Sequence, residues 1–101
     1  MEEKKKMYLS LPITGRKIEK VKAIWVEKGF DVVTQFEVVQ EDNMPYEYCM
    51  GKDITALLMC DGIILCHDWF SSKGCRAECS VAQIYGKQLK IDYTVYEENK
   101  V

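Results

Sequence analysis

Gly62-Ile63-Ile64-Leu65-Cys66-His67-Asp68-Trp69-Phe70-Ser71-Ser72-Lys73-Gly74-Cys75-Arg76-Ala77-Glu78 is the stretch that decides the fold. Its first five residues are an apolar run, the mark of a buried strand. A loop with Ser and Gly follows, and an amphipathic segment from Ala77 to Tyr85 reads as a helix. The loop therefore lies at the carboxyl end of a strand, the edge where open parallel α/β sheets bind ligands. Gly74 lets a ligand or another backbone come close. Glu78 falls in the first or second turn of the helix, near the positive end of its dipole, which favours the anionic form. The same residues have a purely structural reading: Ser72 caps the helix and Glu78 matches its dipole.

Working outward, strand and helix signals alternate. Met7–Leu11 reads as a buried first strand, broken by Pro12-Ile13-Thr14-Gly15. Arg16–Lys28 places Ile18, Val21, Ile24 and Trp25 on one helical face and ends at Gly29. Phe30–Thr34 is the second strand. The irregular stretch from Gln35 to Glu47 is long for a compact domain, with Tyr46 and Tyr48 read as its anchors. A second helix covers Glu47–Met59, with Met50, Ile54, Leu57 and Leu58 as its stripe and Asp53 beside it. Asp61 marks the turn into the third strand. The third helix is expected to present Ala77, Val81, Ile84 and Tyr85 to the sheet and to end at Gly86. Gln88–Tyr93 reads as an edge strand, and Tyr93, Val95 and Tyr96 make the tail apolar.

The order βαβαβαβ implies one α/β domain over 1–101, with a small parallel sheet between helical layers. The expected fold is flavodoxin-like (Rossmann-like), a three-layer sandwich with strand order 2-1-3-4. Its crevice would lie between Leu11–Gly15 and His67–Gly74.

Composition narrows the function classes. The chain has 101 residues, 48% hydrophobic and 30% charged, with a net charge of −2, which fits a globular domain. That charge is no footprint for a nucleic acid polymer or an anionic membrane surface. No apolar run is long enough for a membrane span, and no apolar stretch of signal-peptide length follows the charged Met1–Lys6 start. The 5 cysteines read as reduced thiols of a cytoplasmic protein. Cys75 and Cys79 share a helical face, but there is no CxxC and His67 is the only histidine, so neither a metal site nor a cofactor is expected.

Tyr8-Leu9-Ser10-Leu11-Pro12-Ile13-Thr14-Gly15 resembles the YISGPITG opening of the small DUF4406 proteins. These are related to nucleoside 2-deoxyribosyltransferases and 2′-deoxynucleoside 5′-phosphate N-hydrolases. The second half is similar as well: Asp53, Leu57-Leu58-Met59-Cys60-Asp61, Trp69, Ser72 through Glu78, Ala82 and Gly86. The resemblance covers nearly the whole chain. It implies a nucleoside or nucleotide as ligand, with Glu78 attacking C1′ and expelling the base. Tyr8 would orient Glu78, Asp53 would help protonate the leaving base, and Ser72 would contact the sugar or a 5′-phosphate. Gly74, Pro12, Ile13, Thr14 and Gly15 would line the substrate. Trp69 and Phe70 have two readings, a base-stacking surface or padding for their loop.

The implied chemistry is physically coherent. An N-glycosidic bond breaks through a cation-like sugar, which an anion under C1′ stabilises. The attack gives a glycosyl-enzyme, as in retaining glycosidases, and the acid needs an environment that separates its pKa from that of the nucleophile. The small sheet, the apolar tail and the assembly of relatives imply a homodimer. Two positions depart from the pattern. Leu11 replaces a glycine and is expected to crowd the 5′ end of a nucleotide, and Thr14 stands where the phosphate-recognising hydrolases carry an arginine. A catalytically inactive nucleotide-binding module is therefore the alternative. A response-regulator reading fails, because Leu11-Pro12 stands where an acidic pair is needed.

Overall fold

The computed structural model describes residues 4–11, 18–34 and 44–94. Its elements are β1 (Lys6–Ser10), α1 (Ile18–Glu27), β2 (Asp31–Thr34), α2 (Tyr46–Leu58), β3 (Gly62–Cys66), a 3-10 turn (Trp69–Ser71), α3 (Lys73–Ile84) and β4 (Gln88–Asp92). The sheet has 4 strands in the order β2-β1-β3-β4, and every pairing is parallel. This is the expected flavodoxin-like arrangement. Pro12, Ile13, Thr14, Gly15, residues 35–43, Val95 and Tyr96 lie outside the described residues.

The central strands are apolar because both of their faces are covered. Period-2 alternation divides β1 between two cores. Met7, Leu9 and Leu11 join Ile18, Val21 and Trp25 of α1 on one face. Tyr8 joins Leu57 of α2 and Cys75, Cys79 and Ala82 of α3 on the other. Ser10 shares the Tyr8 face. Gly62 is required where it stands, since a Cβ there would lie 2.6 Å from the Gln88 carbonyl oxygen and 2.8 Å from Met7 Sδ. Asp61 is the structural turn residue expected: its Oδ2 accepts from the Lys6 amide at 2.8 Å, and its carbonyl accepts from the Gln88 amide at 3.1 Å. No helix among the described residues is long and apolar enough to cross a membrane.

Two expectations are corrected. Leu11 does not crowd the crevice; it is 3% exposed and packs in the α1-side core, across the sheet from Tyr8 and Ser10. The third helix also has a different phase. It starts at Lys73, because Ser72 Oγ accepts from the Cys75 amide at 3.3 Å and caps it there. Its buried stripe is Cys75, Glu78, Cys79 and Ala82. Ala77 is exposed and Val81 half-buried, while Ile84 and Tyr85 are 77% and 64% exposed. Large apolar residues were the wrong guide, because small thiols and an alanine let α3 sit close to the sheet.

Candidate active site

The stripe that seats α3 on the sheet contains a carboxylate. Glu78 is 3% exposed, where an ionisable side chain is tolerated only with hydrogen-bond partners. β1 supplies them from alternate positions on one face. Tyr8 Oη donates to Glu78 Oε2 at 2.9 Å, and Ser10 Oγ donates to Oε1 at 2.5 Å. Both oxygens are thus fixed by hydroxyls from the central strand, and each retains acceptor capacity.

A second carboxyl completes the cluster. Asp53 on α2 is close enough for the Tyr8 hydroxyl to act on it. Its Oδ1 is buried and has no hydrogen-bond partner among the described residues. Burial pushes Asp53 up to about 6, with the Tyr8 hydroxyl opposing the rise. Burial likewise pushes Glu78 up to about 7; the Ser10 and Tyr8 hydrogen bonds oppose it, and the charges of Asp53 and Cys75 add to it. The dipole of α3 was expected to favour the Glu78 anion, and here desolvation outweighs it. Burial, and then the Glu78 and Asp53 charges, drive the Tyr8 phenol far above its usual range, so it remains a donor.

The other residues singled out by sequence are placed as follows. Ser72 is the half-buried cap of α3. Gly74 lies in the first turn, four residues before Glu78, with the Tyr46 hydroxyl over it. Trp69 is half-buried, packs against both cores and meets Phe70 edge-on at 6.3 Å, while Phe70 is exposed. Ser10 and Cys75 were missed. A hydroxyl two residues after Tyr8 in an apolar strand was the available signal for Ser10. Cys75, three residues before Glu78, was marked by helical spacing alone. Its buried thiol is lowered chiefly by a hydrogen bond with Cys66, whose own thiol is raised by that contact.

Residues 5–91 match the family described as Domain of unknown function (DUF4406). The chain belongs to the DUF4406 family. No curated protein matches it. The DUF4406 region takes in every member of the cluster, from Tyr8 to Glu78. Its central chemistry is a pair of carboxyls from facing helices beside one phenol, which stays protonated and donates to Glu78. Burial raises both carboxyls, Asp53 to about 6 and Glu78 to about 7, so Asp53 ionises first and the last proton of the pair stays on Glu78 until near pH 7. Chemistry with Glu78 as the anion and Asp53 as the acid needs that proton moved to Asp53, which a positive charge developing beside Glu78 favours.

Proposed function

We propose that this DUF4406 protein cleaves the N-glycosidic bond of a nucleoside or deoxynucleotide, by hydrolysis or by base transfer, through Glu78 as nucleophile. The observation that carries this reading is the buried Glu78 carboxylate, fixed by Tyr8 and Ser10 and paired with Asp53. A Glu78 oxygen forms a bond to C1′ as the C1′–N bond breaks. The bond's electron pair leaves with the base, and Asp53, which takes over the pair's proton as Glu78 ionises beside the sugar cation, gives it to that nitrogen. Water or a second base then attacks C1′, releasing Glu78, and its proton returns to Asp53. The developing sugar cation meets an anion already oriented, which is where electrostatic preorganisation acts. Deoxyribose suits this chemistry better than ribose, because no electron-withdrawing 2′-hydroxyl opposes the cation.

Leu11 gives no support to the inactive binding module, because its side chain belongs to the α1-side core. The reading also carries a homodimer in the cytoplasm. Ile84, Tyr85, Leu89, Ile91 and Tyr93 are exposed at the end of α3 and along the edge strand β4, an apolar surface suited to a second copy. The 5 free thiols suit a reducing compartment.

The test is release of free base from a panel of deoxynucleosides and deoxynucleotides, with and without an acceptor base. Exchange that needs the acceptor identifies a transferase, and release without it a hydrolase. Measurable binding with no turnover would replace the enzyme by the module.

A further inference from the structure

β3 and α3 bring two thiols together at the carboxyl edge of the sheet. Cys66 is the last residue of β3, and Cys75 is the third residue of α3. Ser10 pairs in the sheet with Leu65, the chain neighbour of Cys66. Cys75 packs in the same core as Leu65, and its thiol is in hydrogen-bond contact with the Ser10 and Ser72 hydroxyls. Cys75 therefore sits level with the end of β3, where its sulfur also meets the Cys66 thiol. Both side chains are buried, Cys66 fully and Cys75 at 2% exposure.

The contact makes the two sulfurs unlike. Cys75 lies in the first turn of a 12-residue helix, where the dipole favours a thiolate. The Cys66 thiol faces it as a donor, and the Ser10 and Ser72 hydroxyls add to that against the cost of burial, so Cys75 is lowered to about 6. Ser72 Oγ accepts from the Cys75 amide, which leaves its own O–H for the sulfur. Cys66 is raised by its bond to Cys75, by burial and by Asp68, and keeps its proton. Cys60 and Cys79 are raised chiefly by burial, the ordinary behaviour of a thiol in apolar surroundings. A thiolate touching a protonated thiol is the pairing in which one sulfur attacks an oxidant and the other resolves the product.

We propose that Cys75 and Cys66 form a redox-reactive dithiol that hydrogen peroxide closes to a reversible disulfide. The Cys75 thiolate attacks one peroxide oxygen. An S–O bond forms as the O–O bond breaks, and the hydroxide that leaves takes a proton from solvent. Cys75 is then a sulfenic acid. The Cys66 sulfur attacks the Cys75 sulfur, an S–S bond forms as the S–O bond breaks, and the departing hydroxide takes the Cys66 proton. The two sulfurs together give up the electron pair that reduces one peroxide to two waters. Burial of both sulfurs suits an oxidant little larger than water. In a reducing compartment the pair rests as thiols and the disulfide is transient. The reaction is independent of the proposed glycosidic chemistry.

The test exposes the reduced, full-length protein to hydrogen peroxide, folded and in urea, alkylates the remaining thiols and maps the peptides by mass spectrometry. The folded protein is expected to join the Cys66 and Cys75 peptides with the loss of two hydrogens, a change that dithiothreitol reverses. The bond should form at least about tenfold faster in the folded protein than in urea, because only folding supplies the thiolate and its partner. Cys66→Ser should stop at a Cys75 sulfenic acid, which dimedone captures, and Cys75→Ser should leave Cys66 reduced. A disulfide through Cys49, Cys60 or Cys79 instead would overturn the proposal. So would Cys66 and Cys75 that stay reduced, or a folded protein that reacts no faster than the unfolded chain. If either serine variant fails to fold, the wild-type map and the comparison of rates decide alone.

Discussion

Ser10 and Tyr8 set what Glu78 can do, because each hydroxyl stabilises the carboxylate against the burial that raises its pKa. Ser10→Ala should therefore raise the Glu78 pKa further and move the acidic limb of the kcat/KM profile to higher pH. It should also lower kcat by at least about tenfold, since a preorganised donor to the proposed nucleophile is lost. A pH–rate profile reads both; an unmoved acidic limb would mean that the bond to Ser10 does not tune the nucleophile. Leu11 gives the opposite kind of prediction. Leu11→Ala should cost roughly 2–5 kcal/mol in urea unfolding, as core leucine truncations do. It should give no selective gain for nucleotides over nucleosides; such a gain would return Leu11 to the crevice. Tyr8, Asp53 and Glu78 were legible because the resemblance assigns each a role. Ser10 was passed over, because a lone serine in an apolar strand reads as filler until Tyr8, its neighbour two residues back on the same face, is placed. Leu11 misled because a motif comparison does not say which face of the sheet a side chain takes.

At the scale of elements, the parallel strands and the capped start of α3 follow from local chemistry, while the rotation of α3 about its axis does not. Its buried stripe contains a glutamate and two cysteines, so a reading by hydrophobic period selects Ile84 and Tyr85, which face outward. The buried carboxyl itself is what displaced the pattern. α1 shows a further tie that spacing alone could not reveal. Trp25 Nε1 donates to Asp92 Oδ1 at 2.8 Å, joining α1 to the end of β4. The Thr94 amide donates to Asp92 Oδ2 at 3.2 Å, and Thr94 Oγ1 donates to Oδ1 at 2.9 Å. Asp92 is 2% exposed, so its acceptors are costly to strand. Trp25→Phe keeps an aromatic ring in the core and removes the donor, and should cost about 1–3 kcal/mol in denaturant unfolding. A loss below about half a kcal/mol would mean that the Thr94 bonds suffice.

For the whole molecule, the strand order was legible because four apolar runs separated by helical periods leave few chiral, unknotted arrangements. The pH dependence of stability was not, because it depends on burial that only the assembled core creates. Glu78 rises from its usual 4.5 to about 7, and Asp53 from 3.8 to about 6. Between the unfolded and folded values the native state binds more protons than the unfolded chain, so stability falls as pH increases. The contribution of Glu78 is fully present below about pH 4.5 and is lost as pH rises through about 7. Wild type should accordingly lose roughly 2–3 kcal/mol through this residue between pH 5 and 8. Glu78→Gln keeps the shape and the acceptor oxygen but cannot ionise. Its stability should vary much less over the same range and should exceed that of wild type at pH 8. Urea midpoints at half-unit pH intervals measure this, and a wild-type curve that rises with pH would contradict the buried, proton-binding carboxyl. The same substitution should lower kcat by orders of magnitude with a modest change in affinity, the mark of an interaction made mainly in the transition state. A protein made more stable at alkaline pH by the change that silences it would identify Glu78 as a charge held in the core at a cost to the fold.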